Sequence, residues 1–373
     1  MGEIRIISAD DHVFEPEDLW TSRLEAKYKD RAPRVVRIDD ADFWVCEDRN
    51  LVGMHLGSQT GVRIDEPEKL SRSDTYENVR PGGYDPDQRL KDMDVDGVEV
   101  SIIYPSVGLL LYTLPDSDFL TSAFRCYNDW LSDFCSAHPK RLKAIAMLNV
   151  DDLSPAIAEM ERCSNMGFAG AMITVYPHED HSYFSSEYEP LWAAAQDLQM
   201  PLSLHLASNR PGPGQEYGFG SPKITAAFNG NVDHWIRMSL SNIIYAGVFE
   251  RYPKLRVGSI EAEISWVPHF LDRLDFMYTQ RAKAPGWYKI TGDMLPSEYF
   301  HSNVFVSFQE DALGIRLRDI IGVDKLQWGS DYPHHESTWP YSRRILDEIL
   351  VDCTEEEKAK IAGGNAASMY HLD

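Results

Sequence analysis

The chain has 373 residues, 43% of them hydrophobic and 11% aromatic, enough to bury a large core and inconsistent with a disordered polypeptide. Its 36 basic and 59 acidic residues leave a formal charge of −23, which argues against nucleic acid and anionic membranes as partners, because both are held by clustered Lys and Arg.

Short β-branched runs mark eight strands: Ile4–Ala9, Val98–Tyr104, Leu142–Asn149, Gly170–Val175, Pro201–His205, Leu255–Ile260, Val304–Phe308 and Leu326–Ser330. Most are unbroken apolar runs, the pattern of parallel strands covered on both faces. Residues 13–97 exceed the single helix that should follow the first strand. Phe43-Trp44-Val45 and Leu51-Val52 are expected to form a hairpin there, in an insertion capping the barrel. Later segments carry helical spacing: Phe119–Ala137, a segment opened by Ser154-Pro155 and closed by Gly167, Glu189–Leu198, Asp233–Glu250, Trp266–Gln280, Leu313–Ile321 and Tyr341–Val351. Thr354 and Glu357 make a capping box for Thr354–Ala362, and Gly363-Gly364-Asn365 is expected to break the chain before a last short helix. Asn209 to Asn231, rich in Gly and Pro, reads as a second cover over the barrel. Alternating strands and helices give a parallel sheet, and eight units predict a (β/α)8 TIM barrel, with residues 1–373 as one domain.

Five widely spaced cysteines (Cys46, Cys126, Cys135, Cys163, Cys353) include no CxxC pair and read as reduced thiols. The N-terminus lacks the basic and apolar regions of a signal peptide, and the longest uncharged run, Val100–Pro115, is shorter than a membrane span. A soluble cytoplasmic protein is expected.

A TIM barrel gathers its chemistry at the C-terminal ends of its strands. Ser8-Ala9-Asp10-Asp11-His12 follows the first strand, Leu202-Ser203-Leu204-His205 ends the fifth, and Trp328-Gly329-Ser330-Asp331-Tyr332-Pro333-His334 follows the eighth. Taken singly, these are a polar turn, a hydrogen-bonded core histidine and a turn cap. Together, Asp10, His12, His205 and Asp331 offer carboxylate and imidazole donors suited to one divalent cation, Zn first, with Mn or Fe as alternatives. Glu261, at the end of the sixth strand, is open to three roles: an added ligand, a proton-transfer group, or a carboxylate holding His205; burial against an Arg is the structural alternative. His334 is expected to face substrate, and His335 to be solvated. Tyr104, Leu109 and Tyr176 stand as candidate substrate contacts, with core packing as the alternative. Arg210 is a candidate clamp for a substrate carboxylate, or a surface Arg. Weaker candidates are His178, His181, His234, Gln309 and Asp311.

The chain resembles the amidohydrolase superfamily, in the amidohydrolase-related branch that contains aminocarboxymuconate semialdehyde decarboxylase. The resemblance rests on Ile6 to Pro16, on Gly82-Gly83-Tyr84-Asp85-Pro86 leading to Arg89-Leu90-Lys91-Asp92-Met93-Asp94, and on Pro201 to His205. Gly247 to Leu255, Trp328 to His334 and Gly363-Gly364-Asn365-Ala366-Ala367 complete it. It implies a barrel with one divalent metal held by the first-strand pair, the fifth-strand His and the eighth-strand Asp. Asp10 replaces the more usual His or Glu, and Glu261 stands where characterised decarboxylases of the branch carry a His.

The leading functional expectation is metal-assisted hydrolysis of a small carbonyl-containing, partly apolar substrate, with Asp331 as base, His334 polarising the carbonyl and Glu261 orienting water. The second is non-oxidative decarboxylation of an aromatic or muconate-like acid, and the third a barrel that only binds a ligand. A homodimer is expected from the resemblance.

Overall fold

The eight strands are parallel and follow one another around the sheet in chain order. In the computed structural model, which describes residues 4–210, 226–231, 233–281 and 284–372, β1 is Ile7–His12 and three further strands lie in the insertion: β2 Arg34–Ile38, β3 Ala41–Cys46 and β4 Arg49–Gly53. The barrel continues with β5 Val100–Tyr104, β6 Leu142–Met147, β7 Gly170–Ile173, β8 Leu202–His205, β9 Val257–Ile260, β10 Val304–Phe308 and β11 Leu326–Trp328. Pairing runs β1-β5-β6-β7-β8-β9-β10-β11, every pair parallel. All residues of these eight strands are buried apart from Lys143, as expected of parallel strands enclosed by helices.

The seam between β11 and β1 closes just past the strand ends. Asp331 N donates to Asp10 O at 2.8 Å, and His12 N donates to Tyr332 O at 2.6 Å. Gly329 permits this approach, since a Cβ there would sit 2.4 Å from Asp10 Cβ. The same stitches extend β1 beyond its expected end at Ala9. Asp10, Asp11 and His12 belong to the strand, not to a turn after it. Ser8 pairs with Ser101 but Asp11 with Ile103, so β1 spends one extra residue at Ala9–Asp10. Such a bulge re-aims the side chains that follow it.

The expected hairpin is present as β3–β4, and β2 adds a third antiparallel strand in the order β2-β3-β4. The insertion touches the chain just past β11: Thr60 Oγ1 donates to Pro333 O, and His335 N donates to Leu56 O at 2.9 Å. On its other side, Trp20 packs edge-on against Trp44 at 5.5 Å and donates Nε1–H to Ala123 O at 3.1 Å.

Several boundaries differ from expectation for local reasons. The helix at Leu153–Asn165 is capped by Asp152, which accepts from Ser154 N, not by Ser154. The expected helix Asp233–Glu250 divides into Asp233–Tyr245 and Val248–Arg251, because Gly247 adopts φ 69° between them. The capping box of Thr354 and Glu357 is present, but the following glycines do not break the chain. Helical backbone continues from Glu355 through Lys360–Gly364 to Met369. Gly363 lies against β1, where a Cβ would come within 2.7 Å of Arg5 O. Most of the second expected cover, 211–225, lies outside the described residues. No helix among those described is long and apolar enough to cross a membrane.

Candidate metal centre

Six titratable side chains meet at the C-terminal mouth of the barrel. β1 supplies Asp10 and His12, the end of β8 supplies His205, and the residue after β9 is Glu261. The turn beyond β11 adds Asp331 and His334. His12 Nε2 lies 3.3 Å from Asp331 Oδ1, 3.6 Å from Asp10 Oδ1 and 3.9 Å from Glu261 Oε2. His205 Nε2 lies 3.4 Å from Asp10 Oδ1 and 3.5 Å from Glu261 Oε2.

The backbone determines which imidazole nitrogens face this centre. His12 Nδ1 sits 2.8 Å from Pro105 O, and His205 Nδ1 sits 2.9 Å from Leu206 O. A carbonyl only accepts, so each Nδ1 carries the hydrogen and each Nε2 presents a lone pair inward. Asp10 Oδ1, His12 Nε2, His205 Nε2 and Asp331 Oδ1 are all buried without a hydrogen-bond partner. Asp10, His12 and His205 form one close group and His12, Asp331 and His334 a second that shares His12, and four orphaned acceptors lining these groups would be costly unless something positive lies among them. Metal–ligand bonds of about 2.0–2.2 Å in a tetrahedral set place ligand atoms roughly 3.3–3.6 Å apart, the separations of His12 from Asp331 and Asp10 and of His205 from Asp10. The donor set therefore fits one divalent cation.

Electrostatics lead to the same point. Burial, then repulsion from Glu261 and Asp10, drives Asp331 well above the ordinary carboxylate range. Burial pushes Glu261 up to about 8, a rise that His205 opposes and Asp10 reinforces. Burial, then the neighbouring imidazoles, holds His12 far below the usual histidine value. At His205 burial pulls the same way, but Asp10 and Glu261 outweigh it and raise the group. A bound cation reverses the carboxylate shifts by stabilising the ionised form. Asp331 (φ 59°) and Glu261 (φ 55°) both hold left-handed backbone conformations that non-glycine residues adopt only at a cost.

Behind the mouth, Asp11 points away from this cluster into a clasp. Its carboxylate accepts from Ser8 Oγ at 2.6 Å, Ser330 Oγ at 2.6 Å and Ser101 Oγ at 2.5 Å. Arg89, fully buried, lies 3.3 Å from Asp11 and donates to His12 O at 2.6 Å while covering the Tyr332 ring at 4.4 Å. One Asp–Arg pair thus ties together β1, β5 and the turn that carries Asp331. Sequence reasoning missed this role. Arg89 was visible only as part of a family pattern.

His334 joins the cluster, with Nδ1 at 2.7 Å from Asp331 Oδ1 and its ring stacked on His12 at 4.0 Å. Its Nε2 lies 2.7 Å from Ser106 Oγ, a second partner that the sequence did not suggest. His335 is not freely solvated: it sits 5.8 Å from the His55 ring, and its Nδ1 is buried without a partner.

The expected substrate contacts are mostly placed elsewhere. Tyr104 is fully buried in the barrel, its hydroxyl 2.8 Å from Ser203 Oγ and 3.4 Å from Tyr370 Oη, its ring 4.9 Å from that of His205. It supports an imidazole and is not exposed at the mouth. Leu109 packs in the core within the helix Val107–Leu111, whose first N–H groups are held by the Glu15 carboxylate at 2.9 Å each. Tyr176 is half-buried against Trp235 at 4.7 Å. Arg210 is neither a clamp nor a surface residue. Buried, it pairs with both oxygens of Asp151 at 3.0 and 2.7 Å and donates to Tyr112 O and Leu114 O. Asp311 accepts the N–H groups of Ile264, Ser265 and Gly314, capping its own helix and holding the segment after β9.

A parallel barrel with a divalent-cation donor set at its C-terminal mouth defines the class: a metal-centred (β/α)8 protein. Residues 40–372 match the amidohydrolase family model, and the chain belongs to that family. It is 25% identical over 305 residues to a gamma-resorcylate decarboxylase from Polaromonas sp. (strain JS666 / ATCC BAA-500), an alignment covering 77% of this chain and 87% of that one. An amidohydrolase from Mycobacterium avium subsp. paratuberculosis K-10 shares the fold with a TM-score of 0.78 at 23% identity, covering 99% of this chain and 98% of that one. A dihydroxybenzoic acid decarboxylase from Polaromonas sp. JS666, solved with bound manganese and the inhibitor 2-nitroresorcinol, superposes with a TM-score of 0.66 at 18% identity over 99% and 98%. The sequence relative overturns hydrolysis as the leading expectation, because it is a decarboxylase.

Proposed function

We propose that this chain is a metal-dependent, non-oxidative decarboxylase of an aromatic acid. The observation that carries the reading is the set of four inward-facing orphaned acceptors on Asp10, His12, His205 and Asp331, in a chain related over most of its length to a gamma-resorcylate decarboxylase. These four residues would hold the cation, which would supply Lewis-acid polarisation of the substrate's oxygens. Mn2+ takes the place of Zn2+ as first choice, because manganese is bound in the dihydroxybenzoic acid decarboxylase of the same fold.

The chain's own chemistry is proton delivery. Asp331, whose Oδ1 lies 2.7 Å from His334 Nδ1, gives a proton to the ring carbon that bears the carboxylate. The carbon–carbon bond breaks with its electron pair left on that ring carbon, CO2 departs, and Asp331 regains a proton from solvent. His334 is held by Ser106 and keeps the Asp331 carboxyl aimed across the mouth. Each turnover takes up one proton.

The reading extends to a single cytoplasmic domain with residues 13–97 as a cap, and to a homodimer, which light scattering on the purified chain tests. Turnover in D2O and in H2-18O tests the chemistry. Decarboxylation puts deuterium on the product ring carbon, releases CO2 and leaves the organic product free of 18O. Label incorporated into that product would contradict it.

A further inference from the structure

The cap and the barrel meet at a pair of histidines that the chemistry of the mouth does not use. His55 opens the short helix His55–Ser58 in the cap, and His335 lies in the segment after β11. Their rings stand 5.8 Å apart at an angle of 58°. Backbone bonds fix the two segments beside them: His335 N donates to Leu56 O at 2.9 Å, and Thr60 Oγ1 donates to Pro333 O. Gly53 makes room for the His55 ring, since a Cβ there would lie 3.0 Å from Nδ1.

Each ring keeps its Nδ1 buried with no hydrogen-bond partner. Two such nitrogens on elements that pack together are a cost that a bound group would remove. Glu336 Oε1 stands 3.8 Å from His335 Nε2; a carboxylate on that side favours the hydrogen on Nε2 and leaves the lone pair on Nδ1. Burial, then the neighbouring His335, pushes His55 down to about 4, and burial also lowers His335. A cation arriving near neutral pH therefore meets lone pairs and displaces no proton. Of the charged groups around the pair, Arg63 is matched by Glu310 at 2.6 Å, which leaves Arg72 against Asp74 and Glu336.

Neutral imidazole nitrogens select Zn2+ over Mn2+, Mg2+ or Ca2+. Zn–N bonds of about 2.0–2.1 Å place two ligating rings roughly 5–6 Å apart, which brackets the separation seen here. We propose that His55 and His335 together bind one Zn2+ between the cap and the barrel. Among the described residues, groups of three or more close donors occur only at the mouth, so solvent oxygens complete the coordination and the ion exchanges readily. It ties the cap to the segment that also carries Asp331 and His334, and so holds the cap in place.

Equilibrium dialysis of the metal-free full chain against micromolar Zn2+, with bound metal counted by elemental analysis, tests the site. The wild type should hold one Zn2+ per chain more than either His55→Gln or His335→Gln, and that ion should bind about tenfold or more weakly in each variant. Zn2+ added to the manganese-loaded chain should raise the thermal midpoint by about 2–5 °C in the wild type and leave both variants unmoved. The variants' midpoints without Zn2+ separate loss of a ligand from failure to fold. Equal Zn2+ counts in all three proteins overturn the proposal, as does an ion that survives in either variant at wild-type affinity. The mouth is the same in all three, so a chain that binds no metal there contradicts the four-ligand reading and leaves the difference at His55 and His335 intact.

Discussion

Asp331 is asked to hold a cation and to carry a proton, and its surroundings suit both tasks. Burial favours its neutral form, a nearby cation favours the ionised one, and the His334 ring stands 2.7 Å from one oxygen. Asp331→Asn should therefore reduce CO2 release by roughly 10²–10⁴-fold, measured as initial rate at saturating substrate. Its thermal midpoint should not fall, because Asn tolerates the left-handed backbone at φ 59° and removes like-charge repulsion. Near-normal turnover would take Asp331 out of the mechanism. At this scale the sequence was legible where a donor type coincided with a strand end, as for His12 and His205. It was misleading where only level along the strand was considered. Tyr104 shares the level of the mouth but reaches down to Ser203 and Tyr370, and Arg210 meets a buried Asp151 that no local pattern pairs with it.

Among the elements, β1 shows most clearly what the sequence could and could not convey. Unbroken apolar runs located all eight barrel strands because parallel strands are buried on both faces. The polar end of β1 read as a turn, since its extension depends on hydrogen bonds from His12 N to Tyr332 O and from Val13 N to Tyr104 O, acceptors far away in the chain. Its bulge and the Asp11–Arg89 clasp were equally hidden, because they join positions 8, 11, 89, 101 and 330 only after folding. Arg89→Met leaves Asp11 buried without its partner, which should cost about 3–5 kcal/mol in denaturant unfolding. Because Arg89 also holds the carbonyl of His12, the variant should bind Mn2+ roughly 10–100-fold more weakly by EPR titration. Wild-type affinity in this variant would show that the clasp has no part in placing the ligands.

For the molecule as a whole, buried acids away from the cation site tune stability with pH. Burial lifts Asp96 to about 6, against hydrogen bonds from Ser342 that lower it, and Glu15 to about 7, against the backbone N–H groups of Gly108 and Val107. Both values lie above those of the unfolded chain, so the native state holds the extra proton. Their stabilising contribution is complete below about pH 4 and is lost as pH rises through 6 to 7. Asp96→Asn cannot lose that proton. Between pH 5 and 7.5 its unfolding free energy should fall less than that of the wild type, by on the order of 1–2 kcal/mol. Parallel pH profiles for the two proteins would show that Asp96 does not titrate in this range.

The central claim is that one divalent cation sits between β1, β8 and the turn after β11. Crystals grown with Mn2+ and measured at the manganese edge test it directly. A single anomalous peak about 2.0–2.3 Å from Asp10 Oδ1, His12 Nε2, His205 Nε2 and Asp331 Oδ1 is the result expected here. No peak at the barrel mouth, or a peak that these four atoms do not surround, would contradict it.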